Sequence, residues 1–488
     1  MTDEKLIPLP YQEADIRQLV QGGGTGLVVS GVGGRKTLVA VETGLRLGSS
    51  SILVIAPKGT HTRTWRRTIL RQEPTAIVRN LGGDEDGLAA FEDLKWGEPG
   101  WYLCSPQWFA RQDWNSIIPD LAIFDEIHTA GAYHNTTRLK LHQLKAIQRI
   151  GMSGTPLRNK FENAWAIVKW LWPELMPTDF WSWRRVYCDG VWDRFAPQKF
   201  KVTGERNPGE LVNSLPVYIQ HLAREKCCEF HPNGFLAELE APLEITRTVE
   251  MTTKQAKFYN QMAKDYVAWL TTPDESGKLP VVAELPAVAH NWLRFCALGM
   301  PSYDTENEKL YFEEDCEAPK LDDLHEVMEE LEYPQMIVYT HSQRFASVAA
   351  KRIQSWGISA FEWSGAVSQK KRDKALEAFI ADEIHVVVAV ISAVGTGTDG
   401  IQEACNVEYW LSLDADPVNN EQARGRADRP GQTRRVLRIQ CNSEGTDDEG
   451  ILPRQIERAL ILNRSLRRDP SKAKSSVQQR TFALNGVA

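Results

Sequence analysis

Short apolar runs recur along the first third of the chain, at Gly26–Ser30, Ser51–Pro57, Trp101–Cys104, Leu121–Phe124 and Arg149–Met152. Longer stretches of helical composition separate them. Strand-length runs alternating with helical stretches predict a parallel sheet flanked by helices. A second series opens at Met336-Ile337-Val338-Tyr339 and continues through Ser359–Trp363, Ile384–Ala389, Val407–Leu413 and Val436–Gln440. It predicts another α/β unit of similar size. Open sheets of this kind bind ligands beyond the carboxyl ends of their strands, so the residues just after each run are the first candidates for chemistry.

The region between the two series has a different character, rich in tryptophan and proline early and in acidic residues late. Trp165, Trp170, Trp172, Trp181 and Trp183 read better as packing for a helical insertion than as base-stacking groups. The expected organisation is a first α/β domain over 1–160, a helical insertion and linker over 161–330, a second α/β domain over 331–465, and a basic tail over 466–488.

Composition narrows the class. The 488 residues are 42% apolar and 25% charged, ordinary values for globular domains with large cores. No run approaches the ~20 apolar residues of a membrane span, and Met-Thr-Asp-Glu-Lys with no apolar run behind it argues against a secretory signal. The eight cysteines are scattered without a C-x-x-C pair, which suggests a reducing, cytoplasmic setting. Cys227-Cys228 followed by His231 is the one cluster with metal-ligand character, and the lack of a second half-site argues against a metal there. The net charge of −7 counts against tight, nonspecific binding to a phosphate backbone. Much of the excess comes from the acidic block over 304–332, which is expected to face solvent.

Ser30-Gly31-Val32-Gly33-Gly34-Arg35-Lys36-Thr37 follows an apolar run and precedes a helical opening. Strand, glycine turn and helix is the setting of a phosphate cradle, in which backbone N–H groups and the helix N-terminus surround an anion. Gly31, Gly33, Gly34, Arg35, Lys36 and Thr37 are therefore nucleotide-binding candidates, with Lys36 on the β- and γ-phosphates and Thr37 on magnesium. Arg35 stands where such loops place glycine; a glycine-only dihedral there would cost arginine about 1–3 kcal/mol. Leu121-Ala122-Ile123-Phe124-Asp125-Glu126-Ile127-His128 delivers two adjacent carboxylates to a strand end. Asp125 is the candidate for holding magnesium, and Glu126 for orienting and deprotonating a water. Far along the chain, Gln422-Ala423-Arg424-Gly425-Arg426-Ala427-Asp428-Arg429 sets Arg426 and Arg429 one helical turn apart, so that both can address one anion.

These residues carry a resemblance to superfamily 2 helicases and translocases. Asp-Glu-x-His looks like their Walker B box and Ser153-Gly154-Thr155-Pro156 like motif III, which implies that Ser153 and Thr155, with Gln422, couple nucleotide to nucleic acid. Pro10-Tyr11-Gln12 resembles the upstream glutamine motif, placing Gln12 against an adenine. Ile55-Ala56-Pro57-Lys58 followed by Trp65 is similar to motif Ia of the SNF2-like branch, implying nucleic-acid contacts from Lys58 and Trp65. Leu157-Arg158-Asn159, Trp165 and Leu171-Trp172-Pro173-Glu174-Leu175 follow that branch's order. Thr340 and Ser342 resemble motif IV, and Gly395 and Thr396 open a segment resembling motif V, all implied nucleic-acid contacts. Gln422 through Gln432 resembles motif VI, with Arg426 and Arg429 as arginine fingers.

The resemblance spans roughly 8–445. It implies two RecA-like parallel-sheet domains, ATP and Mg2+ as substrate and cofactor, double-stranded DNA as partner, and a monomer that needs no membrane but accepts a further protein partner. Stand-alone SNF2-like proteins of bacteriophages and bacteria are comparably compact. Two other readings remain at this level: a strand-separating DNA or RNA helicase, and a nucleic-acid-binding scaffold whose ATPase has decayed at Arg35.

Overall fold

The computed structural model describes residues 5–467 apart from 32, 59, 133–134, 159, 178, 195, 272–277, 284, 308 and 395–399. By internal contacts the chain forms two units, Met1–Glu238 with Arg458–Ala488, and Leu239–Glu457.

The first unit contains β1 (Gly26–Ser30), β2 (Ser51–Ile55), β3 (Val78–Asn80), β4 (Gly100–Cys104), β5 (Leu121–Asp125) and β6 (Gln148–Ser153), an antiparallel hairpin of β7 (Cys188–Trp192) and β8 (Phe200–Glu205), and β9 (Tyr218–His221). Seven of these strands make one parallel sheet in the order β3-β4-β2-β5-β6-β1-β9. Every residue of β1, β2, β4 and β5 is buried, as befits a parallel sheet with helices on both faces. The polar edge strand β3 (Val78-Arg79-Asn80) and β9 (Tyr218-Ile219-Gln220-His221) escape the sequence pattern, because an edge strand has one neighbour and needs no continuous apolar run.

The second unit begins with β10 (Leu243–Val249) and two small antiparallel hairpins, β11 (Val267–Thr271) with β12 (Lys278–Val282) and β13 (Ser302–Asp304) with β14 (Lys309–Tyr311). It continues with β15 (Met336–Thr340), β16 (Ala360–Trp363), β17 (Val386–Val390), β18 (Val407–Trp410) and β19 (Leu437–Ser443). Its sheet runs β10-β19-β18-β15-β17-β16, again all parallel. The fold class is thus α/β, with two separate parallel-sheet domains. Residues 161–330, expected as one insertion, are shared out between the units: β9 pairs with β1, whereas β10 pairs with β19. The final helix, Asp448–Leu466, begins in the second unit and ends in the first.

The tryptophans of the middle region behave as packing groups. Trp165, Trp170, Trp172 and Trp183 are buried, Trp181 packs against the same core, and Trp183 stacks on Phe161 and Tyr187 with ring centroids 5.7 and 5.5 Å apart. The acidic block is exposed at most positions, as expected, but Asp323 is buried and accepts from Arg247 Nε at 2.7 Å. No helix among the described residues is long and apolar enough to cross a membrane. Residues 468–488 of the expected tail lie outside the described residues.

At the end of β8, the Glu205 carboxyl accepts from the N–H groups of Gly209 and Leu211 at 2.7 and 2.8 Å. Burial pushes its pKa up to about 7 despite those bonds. An acid whose folded pKa is raised binds more protons folded than unfolded, so stability falls as pH rises from the ordinary glutamate range to about 7. The expected loss is about 2–3 kcal/mol. Glu205→Gln is expected to flatten that decline in urea midpoints measured between about pH 5 and pH 8.

Candidate active site

The first unit gathers the predicted residues at the carboxyl ends of three adjacent strands, β1, β6 and β5. Register fixes this placement: Val29 lies opposite Ser153, and Asp125 opposite Met152. The glycine turn after β1 leads into the helix Lys36–Leu47. Within it Gly33 has φ +84, and a Cβ on Gly34 would stand 1.9 Å from Ser30 Oγ, so a larger residue there would have to displace the Ser30 side chain. Val32 lies outside the described residues. Arg35 adopts φ 50, ψ 36 in the left-handed region. The loop thus keeps the backbone shape that glycine would give, at a cost of about 1–2 kcal/mol for an L-residue. Glycine at position 35 would remove that cost but lose more conformational entropy on folding, about 0.5–1 kcal/mol. Arg35→Gly is therefore expected to change stability by under about 1 kcal/mol, read by thermal or urea unfolding.

Lys36 folds back over the turn, its Nζ donating to Ser30 O at 2.6 Å and Gly31 O at 3.4 Å. Its charge lowers the proton affinity of both Asp125 and Glu126. Asp125 is buried; its Oδ2 accepts from Trp65 Nε1 at 3.1 Å and its Oδ1 from the N–H of Glu126 at 3.1 Å. Burial and the neighbouring Glu126 carboxylate nonetheless push the Asp125 pKa up. Glu126, at φ 54, ψ 48, caps the 3-10 turn Ile127–Ala130 and is 21% exposed. Its Oε2 lies 3.2 Å from Ser153 Oγ and 3.1 Å from His128 Nδ1. Burial works against the charged form, but His128, Lys36 and Ser153 together outweigh it and hold the group below the ordinary glutamate range. The two carboxyls are thereby driven apart in proton affinity, the pattern of paired groups with different roles.

Ser153 is fully buried and links the elements: its hydroxyl meets His128 Nδ1 at 3.0 Å and accepts from Thr155 N–H at 3.1 Å. Thr155 enters this network through its backbone. Gly154 lies against the glycine turn, since a Cβ there would be 3.3 Å from Ser30 O. Thr37, on the first turn of its helix, is partly exposed beside Lys36.

Four expectations need correction. Gln12 is buried, accepting from Leu9 N–H at 2.9 Å and donating to Arg35 O at 3.3 Å; its amide is occupied in bracing the glycine turn and is not open to a base. Trp65 is 0% exposed and its indole holds Asp125, so it offers no face to a nucleic acid. Thr340 is also 0% exposed, its hydroxyl accepting from Ser342 N–H at 3.2 Å and meeting Ser412 Oγ at 3.4 Å. Ser342 caps the helix Gln343–Ser355 through Phe345 N–H. Both hydroxyls are engaged at the strand end. Lys58, by contrast, is exposed. Gly395 and Thr396 lie outside the described residues.

In the second unit, Gln422 sits on the helix Pro417–Arg424, which Gly425 terminates. Arg426 and Arg429 fall beyond that end, in successive turns closed by Arg426 N–H to Ala423 O and Gln432 N–H to Arg429 O. They are not related by a helical turn, because Gly425 ends the helix and Pro430 follows. Arg426 is buried, and its charge favours ionisation of the buried Tyr339 against the stronger opposing effect of burial.

A basic hollow was missed in the sequence. Arg63, Arg66, Arg67 and Arg71 line a surface depression of about 510 Å³ on the π-helical turn His61–Trp65 and the helix Arg66–Gln72. The signal was present, since arginines recur every fourth residue at 63, 67 and 71, one face of a helix.

The SNF2-related domain model matches residues 109–279, and the helicase conserved C-terminal domain model matches 319–431, together more than half of the chain. The chain is 21% identical over 421 residues to human SWI/SNF-related matrix-associated actin-dependent regulator of chromatin subfamily A member 1, covering 82% of this chain and 37% of that one. It is 22% identical over 457 residues to the ISWI chromatin-remodeling complex ATPase ISW1 of Saccharomyces cerevisiae, covering 89% and 38%. The chain thus spans about two fifths of the length of these relatives. Among solved structures it is similar to the Sulfolobus solfataricus SWI2/SNF2 ATPase core in complex with dsDNA, with a TM-score of 0.42, 18% identity, and 99% and 97% of the two chains covered. With an SNF2-related model matching 109–279 and a helicase C-terminal model matching 319–431, the chain belongs to the SNF2-like branch of the superfamily 2 helicases and translocases.

Proposed function

We propose that this chain hydrolyses ATP and couples the turnover to movement along double-stranded DNA. The observation that supports this most is the convergence of Lys36, Asp125 and Glu126 at the ends of β1 and β5, with Lys36 charge acting on both carboxyls. In this reading the backbone N–H groups of the glycine turn and Lys36 Nζ receive the β- and γ-phosphates, Lys36 exchanging its two carbonyl bonds for phosphate oxygens. Thr37 and Asp125 would hold Mg2+. They fit it chemically: a hydroxyl and a carboxylate are hard oxygen donors, and a cation there offsets the burial and the Glu126 repulsion that raise the Asp125 pKa. When bound, Mg2+ neutralises charge developing on the phosphates.

Glu126 takes the proton of the attacking water. His128 and Ser153 fix its carboxylate, and Ser153 passes its position to the Gly154-Thr155 turn. Arg426 and Arg429 act as arginine fingers, and their removal slows turnover by about 10³-fold or more. The basic hollow at Arg63, Arg66, Arg67 and Arg71, with exposed Lys58, supports contact with a phosphate backbone. Eight cysteines without a disulfide support a reducing, cytoplasmic setting.

The test is ATP turnover without nucleic acid and with duplex DNA, single-stranded DNA or RNA, paired with displacement of a third strand from a triplex. Stimulation by duplex and triplex displacement without opening of a forked duplex are expected; no stimulation by any nucleic acid would overturn the reading. Opening of the fork would favour the helicase alternative. The left-handed conformation at Arg35 speaks against the decayed-scaffold alternative, which a large gain in turnover from near zero in Arg35→Gly would support.

A further inference from the structure

Between β9 and β10 the chain has no helix or strand, only an isolated bridge between Cys228 and His231. Its turn is closed by two long backbone bonds, Cys227 N–H to His231 O at 3.4 Å and His231 N–H to Cys228 O at 3.3 Å. Further along, Phe235 N–H donates to Leu222 O at 3.0 Å and Leu236 N–H to Ala223 O at 2.7 Å, folding the segment back on itself. It converges on a set of soft donors: the ligand atoms of His221, Cys227 and Cys228 all lie within 4.8 Å of one another.

The histidine is prepared for such a role. His221 Nε2 is bonded to Asp15 Oδ2 at 2.7 Å, and both side chains are buried. Its other nitrogen, Nδ1, faces Cys228 Sγ at 3.7 Å. A carboxylate fixing one ring nitrogen while the other meets a thiol is the outer-shell arrangement of metal-ligating histidines. His231 adds a second imidazole. Its ring is 5.3 Å from that of His221 and 4.6 Å from Tyr11, and its Nε2 is sealed from solvent without a hydrogen bond.

We infer that His221, Cys227 and Cys228 bind a zinc-class divalent cation as three of its ligands, with the His231 ring beside them. Two thiolates and imidazole nitrogens are the donor set of tetrahedral zinc. Binding deprotonates both thiols and releases the protons to solvent. The site lies directly behind the glycine turn: Gly31 N–H donates to His221 O at 3.3 Å, and the Phe235 ring is 3.3 Å from where a Cβ on Gly31 would stand. The cation therefore ties the loop after β9 to His221, which Asp15 holds, and so buttresses the phosphate cradle. The site does not depend on what the cradle binds.

The test uses the full chain purified from zinc-supplemented medium. Elemental analysis is expected to give about one zinc per chain, retained in Cys316→Ser and lost in the Cys227→Ser/Cys228→Ser double variant, with folding checked by circular dichroism. Cobalt added to chelator-treated protein is expected to give thiolate-to-cobalt charge-transfer absorption, which keeps the test valid if the double variant does not fold. Asp15→Asn is expected to weaken cobalt affinity by about 10–100-fold, the effect of losing such an outer partner. No zinc and no charge-transfer band in the unaltered chain, zinc retained in a folded double variant, or a Cys227–Cys228 disulfide found by mass spectrometry would each overturn the inference. Zinc content is read without ATP, so this outcome and that of the turnover assay are separate.

Discussion

Glu126→Gln is expected to lower ATP turnover by about 10²–10⁴-fold, the typical contribution of a positioned general base. The substitution keeps the shape of the side chain and an oxygen able to accept from Ser153 or His128, so the 3-10 turn after β5 should persist. What it removes is basicity, which only the attacking water uses. Nucleotide binding rests on the glycine turn and Lys36 and is expected to survive. The loss should therefore appear in kcat with the nucleotide Kd nearly unchanged. Single-turnover hydrolysis alongside binding of a fluorescent nucleotide reads both quantities. A fall of only a few-fold would remove Glu126 from the base role, while joint loss of binding would make it a structural residue of the cradle.

The second large effect is on the fold. Lys320, from the helix Pro319–Glu330, is 1% exposed, and its Nζ donates to Leu411 O at 2.6 Å and Asp448 Oδ2 at 2.5 Å. It joins the chain after β18 to the start of the helix Asp448–Leu466, and Asp448 also accepts from Ser443 N–H at the end of β19. Lys320→Met keeps most of the volume but strands a buried carboxylate. Breaking one side of such a pair is expected to destabilise by about 3–5 kcal/mol, whereas replacing both sides with apolar groups is often close to neutral. Lys320→Met with Asp448→Leu should accordingly regain most of the loss. Urea unfolding of the two single variants and the double supplies the cycle; additive losses would show that the ion pair is not what holds these elements together.

The parts of the site legible in the sequence were contiguous. A glycine turn followed by Lys36-Thr37, and Asp125-Glu126 closing an apolar run, announce their chemistry because backbone conformation and side-chain delivery are settled within a few residues. The glycine missing at position 35 was legible as a departure, but not that arginine would adopt the left-handed conformation in its place. The failures were residues assigned by order along the chain. Thr340 and Ser342 stand at a strand end and Trp65 on the π-helical turn, yet each is turned inward, Trp65 onto Asp125 and Thr340 onto Ser412 and the cap of the next helix. Arg426 and Arg429 were spaced for a helix that Gly425 ends. The Cys227-Cys228 pair was set aside for want of a second half-site, and the structure brings His221, at the end of β9, within 4.8 Å of both thiols.

Alternating apolar runs and turn residues by themselves determined two parallel α/β units, the cradle and the paired carboxylates, since strand length, glycine turns and helix starts are local matters. Tertiary structure alone decided that β1, β6 and β5 lie side by side, bringing Lys36, Ser153 and Glu126 to one sheet end, and that β9 joins the first sheet while β10 joins the second. Crossover connections in parallel sheets make neighbours of strands far apart in sequence, and nothing in the spacing of residues encodes that order. Which polar side chains point inward is decided by the same packing.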